Sequence, residues 1–121
     1  MSARESRLYF RIQQVAGLLR QTADAELLEA AGITTAQAAI LEVVAMKGGC
    51  TQKEAAVALN QREAAVTQMV ARLQASELLT RRRSPQDRRQ WRLALSEKGE
   101  AARQSAASAF AKTNERLDEV I

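Results

Sequence analysis

The chain has 121 residues, 46% of them apolar but only 3% aromatic, and it carries a formal net charge of +4 with no histidine. Such a length fits one domain with a modest core, the lone cysteine, Cys50, excludes an internal disulfide framework, and no apolar run approaches the ~20 residues of a membrane span. The positive charge is local: Arg81, Arg82, Arg83, Arg88, Arg89 and Arg92 crowd into one window with Asp87 as its only acid, while the rest of the chain is close to neutral.

The N-terminus lacks the apolar core of a signal peptide, and the cysteine usage suits a reducing, cytoplasmic setting. Leu8, Ile12, Val15 and Leu19 recur at helical spacing, so residues 1–30 read as an amphipathic helix despite Gly17, ended by Ala31 and Gly32. Thr34 followed by Gln37 forms a capping box for a second helix, with Ile40, Val43 and Val44 as its apolar stripe, and Gly48 with Gly49 stops it. Thr51 with Glu54 opens a short third helix that closes near Leu59. Asn60 with Glu63 repeats that spacing and is expected to open a fourth, with Val66, Met69, Val70 and Leu73 on its inner face.

Then the period changes to two. Trp91, Leu93 and Leu95 alternate with Arg92 and Ala94, which is a strand pattern, and residues 79–83 are its natural partner. Ser84, Pro85, Gln86 and Asp87 suit a type I turn between them. Ser96 caps a last helix running toward Ile121. The expected fold class is mainly α with a small β-hairpin: a winged helix-turn-helix lobe over residues 34–95, flanked by dimerisation helices over residues 1–30 and 97–121.

A helix fits the major groove of duplex DNA, and an arginine-bearing hairpin can reach the neighbouring minor groove. With its apolar stripe turned inward, the fourth helix presents Gln61, Ala64, Gln68 and Arg72, flanked by Ala65 and Thr67, with Arg62 at its entry. Gln68 suits adenine, Arg72 suits guanine or a phosphate, and the alanines permit close approach. Alone, that face reads as a solvated one; beside the arginine hairpin it reads as a DNA surface. Lys53 at the start of the third helix joins it, with Arg81, Arg83, Arg88 and Arg89 from the hairpin. Trp91 is expected to pack on the hairpin or core and not to stack on bases.

The run from Leu78 through Asp87, Arg88, Arg89 and Trp91 to Ser96 and Gly99 resembles the wing signature of the MarR family of bacterial transcriptional regulators. Gly32 to Gln37, Thr51 to Ala56 and Val66 to Leu73 are similar to its second, third and recognition helices. The resemblance implies that Arg89 enters the minor groove, that Arg88 meets backbone or groove, and that Asp87 accepts hydrogen bonds from an arginine and orients the wing. It also implies a homodimer on a pseudo-palindromic operator, acting as a repressor that a small aromatic or anionic effector releases. Tyr9, Phe10, Arg11, Ile12 and Arg20 are the candidates to line that effector's cleft.

Two features depart from the family pattern. Arg62 and the pair Ala64 and Ala65 stand where members often carry hydroxyl residues, and the chain stops at Leu117, Val120 and Ile121 where members usually continue into another helix. The apolar end favours burial, so a shorter dimer interface or a chain cut short is expected. Some relatives sense oxidants through a cysteine; Lys47 and Lys53 could lower the pKa of Cys50, although a small structural residue beside a turn is the plainer reading. Without histidine, a carboxylate pair or a phosphate loop, neither enzyme chemistry, metal nor cofactor is expected, and no membrane partner. The competing reading is a winged-helix interaction module that meets an acidic protein partner.

Overall fold

The computed structural model describes residues 2–120, with side chains through Glu115; Leu117, Val120 and Ile121, the apolar end singled out above, lie outside the described side chains. In chain order the elements are α1 (Ala3–Ala31), α2 (Thr35–Met46), α3 (Gln52–Ala58), α4 (Glu63–Ala75), β1 (Leu79–Arg83), β2 (Trp91–Leu95) and α5 (Glu97–Val120). The strands fall where the alternation puts them.

Helix starts are set by side chains that satisfy orphan N–H groups. The Ser2 and Glu5 pair closes a capping box on α1, and Thr34 with Gln37 closes the one expected on α2. At α3 only half of the box forms: Thr51 Oγ1 accepts from the Glu54 N–H, and the Glu54 carboxylate meets the Thr51 hydroxyl, not its backbone. Asn60 opens no helix. It sits at φ 52 just past α3, where its N–H donates to Val57 O and that of Gln61 donates to Ala56 O. That is a Schellman motif, and asparagine tolerates its left-handed position better than most residues. The chain then starts α4 from Arg62, whose side chain makes no cap bond. Glu77, at φ 64, ends α4 through the same pattern, with Leu78 N donating to Leu73 O.

Ile40, Leu41 and Val44 of α2, Ala55 and Ala56 of α3, and Val66, Val70 and Leu73 of α4 bury against Leu79 and Leu93 of the hairpin. β1 and β2 pair antiparallel from Leu79 opposite Leu95 to Arg83 opposite Trp91. Cys50 adds a single bridge to the outer edge of β2, exchanging backbone hydrogen bonds with Leu93. The loop between the strands departs from the expected turn. Ser84 is buried and its Oγ accepts from Gln86 N and Asp87 N, which takes the N–H that a turn over residues 84–87 needs. The hydrogen-bonded turn lies three residues later, where Gln90 N donates to Asp87 O at 3.0 Å.

Ser96 caps α5 as expected, its Oγ accepting from Gly99 N at 2.9 Å. Gly99 packs so tightly on the lobe that an added Cβ would lie 2.0 Å from Leu78 O. α5 runs against α1, burying Ala102 and Ala106 from its own side and Leu27 from α1; Thr113 donates to Glu26 across the pair at 2.8 Å. The other half of α1 is different. Leu8, Tyr9, Phe10, Ile12, Val15 and Leu18 are each more than half exposed.

Candidate nucleic-acid interface

α4 buries Val66, Val70 and Leu73, so helical geometry turns Gln61, Arg62, Ala64, Gln68 and Arg72 to solvent; Ala65 is half-buried. Thr67 is exposed, but its hydroxyl lies 3.0 Å from Gln52 Oε1 and 2.9 Å from Glu63 O, which ties α4 to α3 and leaves less of that hydroxyl for a ligand. Lys53 of α3 and Arg81 of β1 come together with Thr51, Gln52, Glu63, Gln90 and Trp91 around an open hollow of about 310 Å³. The starts of α3 and α4 and the hairpin therefore border one concavity. Gln52, Glu63, Gln90 and Trp91 carried no such role in the sequence, because only tertiary packing brings them there. Glu63 repels phosphate at its own position, yet as the first residue of α4 it suits the positive end of the helix dipole.

The hairpin arginines do different things. Arg88 and Arg89 are exposed at the tip, and Asp87 Oδ1 accepts from Arg89 N at 3.0 Å and Arg89 Nε at 3.4 Å. The Arg83 guanidinium stands 4.5 Å from the centre of the Trp91 ring and donates through Nη1 to the Arg88 carbonyl. Trp91 itself is 46% exposed, resting on the hairpin and outside the core. Arg82 faces Arg92 across the ladder, a like-charge pair that would repel; Arg92 reaches away and donates to Gly49 O at 2.8 Å. Arg92 thus fastens the hairpin to the end of α2.

The sequence model of the MarR family matches residues 31–90, the stretch that builds the lobe up to the end of the wing loop. Among solved structures, the PcaV transcriptional regulator from Streptomyces coelicolor, in complex with its natural ligand, is 25% identical, with a TM-score of 0.77 over 96% of this chain and 79% of that one. The chain belongs to the MarR family. YusO from Bacillus subtilis is 27% identical with a TM-score of 0.69, covering 100% of this chain and 86% of its own. A variant of S. aureus MepR bound to an oligodeoxyribonucleotide is 23% identical with a TM-score of 0.70, over 94% and 83% of the two chains. A search of curated protein sequences finds no match.

MarR-family proteins are transcription regulators. Tyr9, Phe10, Arg11, Ile12 and Arg20 lie on the first two-thirds of α1, on or next to its solvent-exposed stripe. Arg11 and Ile12 border a shallow depression made by α1 alone. A separate groove of about 470 Å³ runs between α2 and α5, past Ala38, Ala39, Ala106 and Phe110, with Arg103 and Glu42 at its rim. Arg103 pairs with Glu42 at 3.2 Å and with Glu100, joining α5 to α2; its two carboxylate partners raise its pKa further, and Arg103 in turn lowers that of Glu100.

Cys50 does not meet the expectation of an activated thiol. Burial pushes its pKa up and Glu54 adds to that, while Lys47 and Arg92 only partly offset the rise. Its side chain is fully buried beside Leu93, so the structural reading holds. Among the described residues no group of three or more metal-ligating side chains is found, and no single helix is long and apolar enough to cross a membrane.

Proposed function

We propose that this MarR-family chain is a cytoplasmic homodimeric repressor that binds a specific pseudo-palindromic operator in duplex DNA and leaves it when a small aromatic or anionic effector binds. One observation carries the DNA reading: the start of α3 with Lys53, the start of α4 at Glu63 and the hairpin with Arg81, Gln90 and Trp91 line one hollow. α4 enters the major groove and offers Gln61, Arg62, Ala64, Ala65, Gln68 and Arg72 to base edges and phosphates, with Thr67 holding the helix to α3. Arg88 and Arg89 reach the adjacent minor groove, oriented by Asp87.

The apolar half of α1 supports the dimer, since an exposed stripe of this size is costly in water and is satisfied by a two-fold copy. Two recognition helices related by that axis read half-sites roughly 34–36 Å apart. Tyr9, Phe10, Arg11, Ile12 and Arg20 would reach an effector only where α1 of one copy crosses the lobe of the other.

Selection of bound duplexes from a random pool, followed by titration of the winner at several salt concentrations, tests the reading. Steep loss of affinity with salt and a two-fold symmetric consensus are expected, and Arg89→Ala should cost roughly 1–3 kcal/mol of binding. Capture of acidic proteins with no preferred duplex would replace it with the interaction-module reading.

A further inference from the structure

Arg83 looks like one more basic side chain available to phosphate, yet its guanidinium is already committed. It is the last residue of β1 and stands opposite Trp91, the first residue of β2, at the base of the wing loop. From there it lies over the Trp91 ring at 4.5 Å and donates to the Arg88 carbonyl, a backbone atom at the tip of the loop. A guanidinium can do both because it is flat on its faces and carries donors on its edge. The same loop is tied from within by Ser84 Oγ, by Asp87 Oδ1 and by the Ser84 N to Gln90 O bond at 3.0 Å.

We propose that Arg83 and Trp91 form a clamp that presets the wing tip, making Arg83 a positioning residue for Arg88 and Arg89 and not itself a phosphate contact. The proposal rests on the DNA-binding reading above. Holding the Arg88 carbonyl fixes the peptide unit from which the Arg89 side chain departs, so the tip meets the groove without first losing conformational freedom. Both tip cations then act through geometry that two residues at the base of the loop maintain.

Trp91 is the only tryptophan in the chain, so its emission reports the clamp in free protein. Arg83→Lys keeps the charge but removes the flat stacking group, and Trp91→Leu removes the ring without touching any charge. Arg83→Lys should shift Trp91 emission without DNA. Each substitution should weaken binding to the selected duplex about three- to tenfold, the scale of a cation–π contact and one hydrogen bond. The double variant should be no weaker than either single one, and Trp91→Tyr should recover most of the loss. With Arg88 and Arg89 both changed to alanine, Arg83→Lys should have no further effect on binding. Unchanged emission, or an equal loss when Arg88 and Arg89 are both alanine, overturns the clamp. So does Arg83→Lys binding like the unaltered chain while Arg83→Ala lowers the salt slope by about 0.9, the signature of one phosphate contact. An unaltered chain that ignores every duplex overturns the DNA reading and this role together; variants that match a binding parent overturn the role alone.

Discussion

The lobe and the first half of α1 both expose surface, but of opposite kinds. In the lobe, α2, α3, α4 and the hairpin bury Ile40, Leu41, Val44, Val66, Val70, Leu73 and Leu93 among themselves and show solvent mostly polar and basic groups. The first half of α1 shows solvent Leu8, Tyr9, Phe10, Ile12, Val15 and Leu18. Exposed arginines are stable in water without a partner, whereas a run of exposed leucine and aromatic side chains gains free energy only when covered. The lobe is therefore complete as a fold and incomplete as a function until a polyanion arrives; α1 is incomplete as a fold. The two surfaces should fail independently when altered.

The largest expected effect lies where α5 seats on the lobe. Gly99→Ala places a Cβ 2.0 Å from Leu78 O, a backbone atom that cannot swing aside. It should cost about 3 kcal/mol, the upper part of the usual range for overpacking, read as a lower urea midpoint. A midpoint equal to that of the unaltered chain would mean that α5 is not seated on the lobe as described. Next in size is Ile12→Glu with Val15→Glu, which puts charge into the apolar stripe. Sedimentation should show dimer association weakened by a factor of about 100 or more, since a charge buried without a partner costs several kcal/mol. Within the full chain, the unfolding of the lobe should scarcely change. A dimer that survives both charges would assign the stripe to some other occupant.

How far the sequence revealed these regions follows from which signals are local. The hairpin's limits were legible because the change of period from 3.6 to 2 is written in consecutive residues, Trp91 to Leu95. The inner face of α4 was legible for the same reason. Asn60 was not, because the pattern of asparagine followed by glutamate three residues on fits both the start of a helix and a left-handed residue ending the preceding one; the Gln61 N to Ala56 O bond decides it. At Cys50 the plainer structural reading holds; the lysines near it in sequence could not show the burial, which depends on a bridge to Leu93, 43 residues away. Arg83 was legible as a cation but not as a clamp, since its task depends on cross-strand register and on where the loop returns Arg88.

A smaller effect should come from inside the lobe. Glu77 holds φ 64, a left-handed conformation that costs a residue with a Cβ roughly 1 kcal/mol relative to glycine. Glu77→Gly should therefore stabilise the chain by somewhat less than that, because glycine also loses more freedom on folding. Thermal melts would register it as a modest rise, with operator affinity unchanged since the residue lies past the end of α4. Any fall in stability would show that the Glu77 side chain supports the turn in a way its backbone angles do not reveal.

The smallest expected effect tests how α1 is held to the lobe, through pH. Asp24 of α1 accepts from Thr35 N at 2.8 Å and from Thr35 Oγ1 at 2.6 Å, fastening α1 to the first turn of α2. The Thr35 side-chain bond, then its backbone bond, hold the Asp24 carboxyl below the ordinary aspartate range, with Arg20 contributing in the same direction and burial opposing. A depressed carboxyl pKa means that the folded state binds the proton less readily than the unfolded chain does. The stabilisation is then fully present above the unfolded value and is lost as pH falls below about 4, through the lower folded value. Asp24→Asn removes the charge but keeps an acceptor, so it should lower stability slightly at neutral pH and flatten the acid limb of the curve. If the unaltered chain and Asp24→Asn lose stability in parallel between about pH 5 and 2, the Thr35 bonds contribute nothing that depends on charge, and α1 is held to the lobe by packing around Leu27 alone.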